Sequence, residues 1–275
     1  MARGKGGIGK KILIAFLIFL AIGIVLLLGL VFVVIKGVKD DMVEMGETVP
    51  NFTVNTTDGR TLSLDELLEE KDCVVLNVFT TWCGPCKIEF PEMEEAYENG
   101  HEAYELVAVA DDNDITTDDV AAYQKEMGLT FPMGILEEKL DAISTFAYPT
   151  TFVIDRNRKL GFRQEGYFRR AEDFDRVVNA FAGENYEEKQ VALYTLYAWE
   201  KDGTPIPGVE VEVTSAAGTQ TLATGEDGTV SCLVENPQDV KATVIAAPEG
   251  YSIKGEATAG LDKTSSWVTL DVVKK

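Results

Sequence analysis

The sequence predicts an α/β domain with a mixed central sheet flanked by helices, a small all-β sandwich after it, and one N-terminal transmembrane helix. Residues 49–182 alternate between strand-like and helix-like segments, which is the pattern of βαβ units around a sheet with parallel strands. Residues 191–273 contain short alternating stretches separated by Gly, Pro and Asp turns, as in small sandwiches. Residues 12–35 form an apolar run without a charge.

Within the α/β domain, predicted at residues 48–183, each element follows from a local pattern. The turn Thr57-Asp58-Gly59 between two short alternating stretches indicates a hairpin. The continuous apolar run at 73–79 is typical of a central strand covered on both faces. The other predicted elements are helices at 83–98, 117–127 and 170–182, a strand at 105–110, and a hairpin formed by 150–155 and 159–166.

The apolar run at 12–35 predicts a membrane anchor. It has 24 uncharged residues, and about 20 are needed to cross a hydrocarbon core of ~30 Å. A cleaved signal peptide is the alternative, but its apolar region holds only roughly 7–15 residues and a small-residue cleavage site follows it. The sequence therefore predicts that residues 1–35 form a basic tail and an uncleaved span.

The flanking charges predict the orientation of this span. Four basic residues and no acid precede it, whereas only two lysines follow it, together with four acids. Positive residues near a span tend to stay cytoplasmic. We therefore expect a single-pass protein of the cell membrane with a cytoplasmic N-terminus, a polar tether at 36–47, and a body outside the cytoplasm.

Charge and cysteine usage limit the function classes. The net charge of −21 argues against nucleic acid as a partner, because the phosphate backbone would be repelled. Four cysteines in 275 residues do not make a disulfide scaffold. Cys83 and Cys86 lie three residues apart and indicate a working redox pair, while the isolated Cys73 and Cys232 are expected to be buried free thiols.

The chemistry is concentrated in the segment TTWCGPCKIEFP, residues 80–91. It follows a buried strand and begins a helix, so the free N–H groups and the macrodipole at the helix N-terminus can stabilise a Cys83 thiolate. Cys86 lies one turn later and can resolve a mixed disulfide. Pro85 is tolerated there because its missing N–H would have no partner in a first turn. Trp82 can shield the pair.

The cysteine pair is also compatible with two other interpretations, both disfavoured by the sequence. Half of a zinc site is disfavoured because the chain has no second Cys or His pair, and His101 is its only histidine. No metal and no other cofactor is therefore expected. A fixed structural disulfide is disfavoured because a three-residue spacing closes a very small loop, which gives little entropic stabilisation.

The motif and its surroundings resemble thioredoxin, and more closely the TlpA/ResA-like family of membrane-anchored thioredoxins. The matching segments are PNFTV…DGRTLSLDEL, LNVFTTWCGPCKIEFPEM and YPTTFVID, within residues 47–183. The resemblance implies a thioredoxin-like fold and a thiol–disulfide oxidoreductase. It also implies that Cys83 is the attacking thiolate and Cys86 the resolving, more buried cysteine.

The same resemblance implies further site residues. Pro149 falls on the family's cis-proline, opposite the disulfide. Glu89 matches the acidic residue that ResA-like proteins keep beside the thiols, with a solvated helix charge as the alternative. Asn77 stands where thioredoxin has a buried Asp, so the proton must be handled elsewhere. The expected substrate contacts are Trp82, Gly84, Pro85 and Tyr148.

A peroxiredoxin is the nearest enzymatic alternative. Its P-x-x-x-T-x-x-C motif fits Thr80, but Leu76 stands where that motif has proline. The vicinal Cys86 is also unnecessary for peroxidase chemistry. Both features favour disulfide exchange.

The C-terminal part, residues 184–275, resembles Cna-B-like sandwich domains of surface proteins. The match lies in WEKDGTPIPGVEVEV, TGEDGTV and APEGY. The final strand, SWVTLDVV, has no Asn, which disfavours the Lys–Asn cross-link of some such domains. The resemblance implies a spacer or partner-binding module.

These features predict an anchored reductase of extracytoplasmic disulfide-bearing proteins. By resemblance, its clients include apocytochrome c, and a membrane-embedded donor of the CcdA/DsbD type supplies its electrons. A disulfide oxidase or isomerase is the alternative enzyme. A surface interaction protein that binds a partner through the sandwich is the alternative from another class. The set Cys83, Cys86 and Pro149 favours an enzyme, since a retired site would not need all three.

Overall fold

The structure is a computed structural model. It describes residues 7–40, 42–138, 140–145, 147–254, 258–261 and 266–275. The chain divides into two compact units: residues 1–42 with 141–143, and the remainder of the chain. Arg3 and Lys5, which belong to the predicted basic tail, lie outside the described residues.

The first unit consists mainly of helix α1, Gly7–Asp40. A 3-10 turn, Asp141–Ile143, is grouped with it. In the part of the chain that the structure describes, none of the helices is both long enough and apolar enough to span a membrane. The anchor and its orientation remain predictions.

The second unit contains a seven-stranded mixed sheet, as the alternating pattern predicts. Its central strand β3 runs parallel to β4 and antiparallel to β6. Every residue of β3 is buried, as expected from its continuous apolar run. The spatial order is β2-β1-β5-β4-β3-β6-β7. The strands are β1 (Thr53–Thr56), β2 (Thr61–Ser63), β3 (Cys73–Phe79), β4 (Tyr104–Ala110), β5 (Met133–Leu136), β6 (Thr150–Asp155) and β7 (Leu160–Glu165).

In the part of the chain that the structure describes, four helices accompany this sheet, and α3 and α4 begin at side-chain caps. Thr116 and Asp119 form a reciprocal capping box at the start of α4. Cys83 is the N-cap of α3, which has Pro85 in its first turn and Pro91 in its interior. Residues of α3 and α5 share the main core with β3 and β4. The helices are α2 (Leu64–Glu70), α3 (Gly84–Asn99), α4 (Thr117–Met127) and α5 (Ala171–Asn179).

Strand β5 was not predicted, and it joins the N-terminal hairpin to the rest of the sheet. It pairs antiparallel with β1 and parallel with β4. At Gly134 an added Cβ would stand 2.2 Å from the Asn55 carbonyl oxygen. The close approach of β1 therefore requires glycine inside the strand, and this weakened the apolar pattern that marks the other strands.

Additional β-sheets follow, in what we call the C-terminal β region, residues 191–274. They form a four-stranded sheet β10-β9-β12-β14, a three-stranded sheet β11-β8-β15 and a pair β13-β16. The two larger sheets share one hydrophobic core. The Cna-B-like relationship remains a prediction. The strands are β8 (Val191–Tyr197), β9 (Glu210–Ser215), β10 (Gly218–Ala223), β11 (Thr229–Glu235), β12 (Lys241–Ala246), β13 (Tyr251–Ile253), β14 (Thr258–Gly260), β15 (Ser266–Thr269) and β16 (Val272–Lys274).

Strand β8 is buried on both faces and connects the two cores. Val191 and Leu193 belong to the core built around β3 and α3. Their neighbours Ala192, Tyr194 and Leu196 point the other way, into the core of the C-terminal β region, because side chains alternate along a strand. The two parts are therefore packed together rather than joined only by a tether.

Candidate redox site

The cysteine pair lies at the start of α3, just after the end of β3. The Cys83 Sγ accepts a hydrogen bond of 3.1 Å from the Cys86 backbone N–H, and the two cysteines are joined in a disulfide. Cys83 is 3% exposed and Cys86 is fully buried. After reduction, the N–H groups at the start of α3 would stabilise a thiolate on Cys83, the outer of the two.

Exposed apolar side chains precede and follow the cysteine pair in the chain, and we call Trp82, Ile88 and Tyr148 the apolar rim. Trp82 is 72% exposed and Ile88 is 55% exposed, whereas most large apolar side chains of this unit are buried. The rings of Trp82 and Tyr148 meet edge to face, with centroids 6.0 Å apart. The Tyr148–Pro149 peptide bond is cis. Open space surrounds the position of an added Cβ at Gly84, so the backbone there is accessible to a substrate chain.

Two aspartates that sequence reasoning missed hold this rim in place. Asp112 accepts hydrogen bonds of 2.9 Å from both the backbone N–H and the hydroxyl of Thr81. Asp111 accepts a 2.6 Å hydrogen bond from the Tyr148 hydroxyl. Both follow β4 directly, and the carboxyl ends of the parallel strands β3 and β4 lie at one edge of the sheet. Because both aspartates directly follow a predicted strand, their position near the cysteine pair could have been predicted from the sequence.

Glu89 lies inside the protein, one turn after Cys86 on α3, so the solvated alternative is excluded. Its side chain is fully buried. One carboxyl oxygen accepts a hydrogen bond of 3.0 Å from the Phe168 backbone N–H, and the other accepts one of 2.9 Å from the Asn77 amide. The Asn77 amide also donates to the Thr151 hydroxyl. Glu89 is thus tied to β3, to β6 through Asn77, and to the segment after β7.

Burial changes the protonation of this carboxyl. It raises the pKa of Glu89 from about 4.5 to about 8, against the opposing effect of the hydrogen bonds from Phe168 and Asn77. At neutral pH, Glu89 is therefore mainly protonated, and it lies one turn after Cys86 on α3. This fits the sequence argument that, with Asn77 in place of an Asp, the proton must be handled elsewhere.

The remaining cysteines do not take part in the site. Cys73 and Cys232 are buried and free. Burial raises the pKa of the Cys73 thiol to about 12, which leaves it without the thiolate that disulfide exchange requires. Among the described residues, no group of three or more His, Cys, Asp or Glu side chains is arranged to hold a metal ion.

Known proteins are similar to this chain over its α/β domain. Residues 45–163 match the model of the AhpC/TSA family. Thiol-disulfide oxidoreductase ResA of Bacillus thuringiensis subsp. konkukian is 33% identical over 126 residues, 44% of this chain and 70% of that protein. Thioredoxin-like protein YneN of Bacillus subtilis is 31% identical over 119 residues, 42% of this chain and 69% of that protein.

Two solved structures are similar to about half of this chain. The thiol:disulfide interchange protein from Chlorobium tepidum TLS is 26% identical, with a TM-score of 0.43, and covers 51% of this chain and 99% of its own. StoA from Bacillus subtilis is 25% identical, with a TM-score of 0.40, and covers 47% of this chain and 98% of its own.

The sequence identity with ResA and the geometry of the site both indicate thiol–disulfide chemistry. The identity extends over more than two thirds of the ResA protein. The cysteine pair is a disulfide at a helix N-terminus on a thioredoxin-like α/β fold. We conclude that the chain is an enzyme of the thiol–disulfide oxidoreductase class and belongs to the ResA-like family.

Proposed function

We propose that this protein is a membrane-anchored, extracytoplasmic reductase of protein disulfides. The reducing direction of electron flow is supported by the groups that lie near the cysteine pair. The N-terminus of α3 is the stabilising group that contacts Cys83, and the ionisable group buried one turn after Cys86 is a carboxyl, Glu89. A carboxyl offers a thiolate no positive partner, so the dithiol is not strongly favoured over the disulfide and the reduced protein is a good electron donor.

The reaction follows from this arrangement. The Cys83 thiolate attacks one sulfur of the client disulfide, which forms a mixed disulfide and releases the first client thiolate. Cys86 then loses its proton and attacks the Cys83 sulfur. The Cys83–Cys86 disulfide forms and the second client thiolate leaves. Two electrons pass to the client, whose two thiolates take up the proton released by Cys86 and one proton from solvent. Glu89 can accept the Cys86 proton in its ionised form, which becomes more populated as the pH approaches about 8.

The family resemblance supports a proposal for the clients and the electron donor. The exposed Trp82 and the accessible backbone at Gly84 suit an extended polypeptide rather than a small molecule. We propose extracytoplasmic proteins with exposed disulfides as clients, with apocytochrome c as one candidate. Regeneration requires a two-electron thiol donor, for which a membrane-embedded protein of the CcdA/DsbD type is the proposed source.

Anchoring is supported by helix α1. Its described large apolar side chains are exposed along the middle of the helix, for example Phe19 at 78% and Leu26 at 69%. An exposed apolar surface of this extent needs a partner, and a lipid bilayer satisfies it along the whole circumference. The excess of basic residues before the run favours a cytoplasmic N-terminus.

The membrane topology can be tested by proteolysis. Protease added outside intact cells is expected to digest the body and to leave a membrane-bound fragment near residues 1–40. Immunoblotting with tags at both ends measures this, and lysed cells serve as the control for protease access. A protected body, or a mature N-terminus beyond residue 35, would contradict the anchored extracytoplasmic arrangement.

The direction of electron flow can be tested by the reduction potential. Equilibration of the protein with a glutathione redox series is expected to give a value nearer to that of thioredoxin, about −270 mV, than to that of DsbA, about −120 mV. A value above roughly −180 mV, typical of a disulfide isomerase, would favour the oxidase or isomerase alternative. The family assignment would be unaffected.

A further inference from the structure

The short segment from Gly166 to Arg170 contacts the redox site on one side. The Gly166 backbone N–H donates to the Pro149 carbonyl oxygen at 2.9 Å, which binds the segment to the cis-proline. Two residues later, the Phe168 N–H donates to Glu89 at 3.0 Å. The ring of Phe168 is buried. Both hydrogen bonds reach groups of the redox site.

The other side of the same segment contacts the C-terminal β region. The Arg169 guanidinium lies over the rings of Trp199 and Trp267, 5.5 and 5.4 Å from their centroids. The Tyr167 ring lies 5.3 Å from that of Trp267. Phe168 is therefore flanked by two residues that the tryptophans hold. We call Arg169, Trp199 and Trp267 the arginine clamp.

A further connection strengthens this attachment. The Arg170 guanidinium donates to the Ser231 hydroxyl at 2.9 Å, and that hydroxyl donates to Asp173 in the first turn of α5 at 2.8 Å. Ser231 lies on β11, beside β8. The segment thus leaves Glu89 and enters α5 along a path fixed by the C-terminal β region.

We propose that the arginine clamp is a positioning element for the thiol–disulfide chemistry, because it holds the Phe168 amide in hydrogen-bonding position to Glu89. All three clamp residues lie beyond residue 163, where the match to the family model ends. The C-terminal β region therefore completes the redox site of this chain instead of acting only as a spacer. The inference rests on the thiol–disulfide activity and not on the direction of electron flow.

The groups around Glu89 show that the arginine clamp affects the pKa of this carboxyl. In the described chain, the carboxyl accepts hydrogen bonds from the Asn77 amide of β3 and from the Phe168 N–H of the segment. Cys86 lies one turn earlier on the same helix, α3. Burial disfavours the charged carboxylate and both N–H donors favour it. If the Phe168 amide moves away, the charged form loses a donor and the pKa of Glu89 rises.

The test compares Arg169→Ala and Trp267→Leu with the unaltered full-length protein. The titration of the Glu89 side chain is followed in the oxidised protein by ¹³C NMR with labelled glutamate, and the signal is assigned by its absence from Glu89→Gln. We expect the midpoint to rise by about one pH unit in both variants, the size expected for loss of one hydrogen bond to a charged group. Trp267→Leu changes no charge, so it separates positioning from a direct charge effect of Arg169.

The matched control is Arg156→Ala. Arg156 also stacks on an aromatic ring, that of Tyr186 at 5.3 Å. It follows the end of β6 that pairs with the start of β3, whereas Cys83 and Cys86 lie beyond the opposite end of β3. We expect no change in the Glu89 midpoint. Arg169→Lys keeps the charge and part of the ring contact, and we expect a smaller shift in the same direction. Arg169→Lys replaces Arg169→Ala in the test if the alanine variant does not fold.

A second readout links the clamp to the reaction. In the reduced protein, the pH profile of Cys83 alkylation is expected to shift in Arg169→Ala and Trp267→Leu, but the same changes in a Glu89→Gln background are expected to have no such effect. Three outcomes would overturn the proposal. The alkylation profile could shift equally in the Glu89→Gln background, or it could shift only in the Arg169 variants. The third is an unchanged Glu89 midpoint in a folded Trp267→Leu protein.

Discussion

Replacing Cys83 with serine is expected to lower the reduction of disulfide substrates by about 10³-fold or more, as loss of a catalytic nucleophile does in other enzymes. A serine hydroxyl stays protonated at neutral pH, so the N-terminus of α3 has no thiolate to stabilise. Replacing Cys86 with serine is expected to leave the first attack intact. The mixed disulfide on Cys83 should then accumulate, because Cys86 is the sulfur bonded to Cys83 in the structure.

Both outcomes can be measured with one set of variants. Turnover is followed with a small chromogenic disulfide, and adducts are identified by mass spectrometry after non-reducing electrophoresis. The control is Cys232→Ser, since Cys232 is free and buried in the core of the C-terminal β region. We expect it to retain turnover. Adducts that form on Cys83→Ser and not on Cys86→Ser would reverse the assigned roles.

Replacing Glu89 with glutamine is expected to change how stability depends on pH. The pKa of Glu89 is raised from about 4.5 to about 8 in the folded protein. Between these two values the unfolded chain releases the proton and the folded chain keeps it, so the free energy of unfolding falls as pH rises. For one proton the slope is about 1.4 kcal/mol per pH unit. Below and above this window the group contributes no slope.

Glutamine has no proton to lose, so the Glu89→Gln variant should lack this slope. Its free energy of unfolding, relative to that of the unaltered protein, is expected to rise steadily from pH 5 to pH 8. Urea unfolding of the oxidised proteins at several pH values measures this, and all other titrating groups cancel in the difference. Glu94→Gln, a buried carboxyl on the same helix, is the matched control. A difference that stays flat across the window would refute the buried, protonated state.

Local patterns in the sequence determined most of the elements that carry the site. The apolar run 73–79 became β3 with every residue buried, and helix α4 was predicted at its observed bounds, 117–127. The spacing of Cys83 and Cys86 after a strand and at the start of a helix was sufficient to predict a redox pair. Each of these features depends on residues within one or two turns of one another, which is why the sequence alone could predict them.

Only the tertiary structure decided the surroundings of that pair. Helix periodicity could not show that Glu89 is buried, because its partners Asn77 and Phe168 are 12 and 79 residues away. The stacking of Arg169 between Trp199 and Trp267 joins parts of the chain that look like separate domains in the sequence. Strand β8, whose residues belong to both cores, connects these two parts. The protonation of the site depends on burial and on donors brought from distant segments, and no local pattern contains that information.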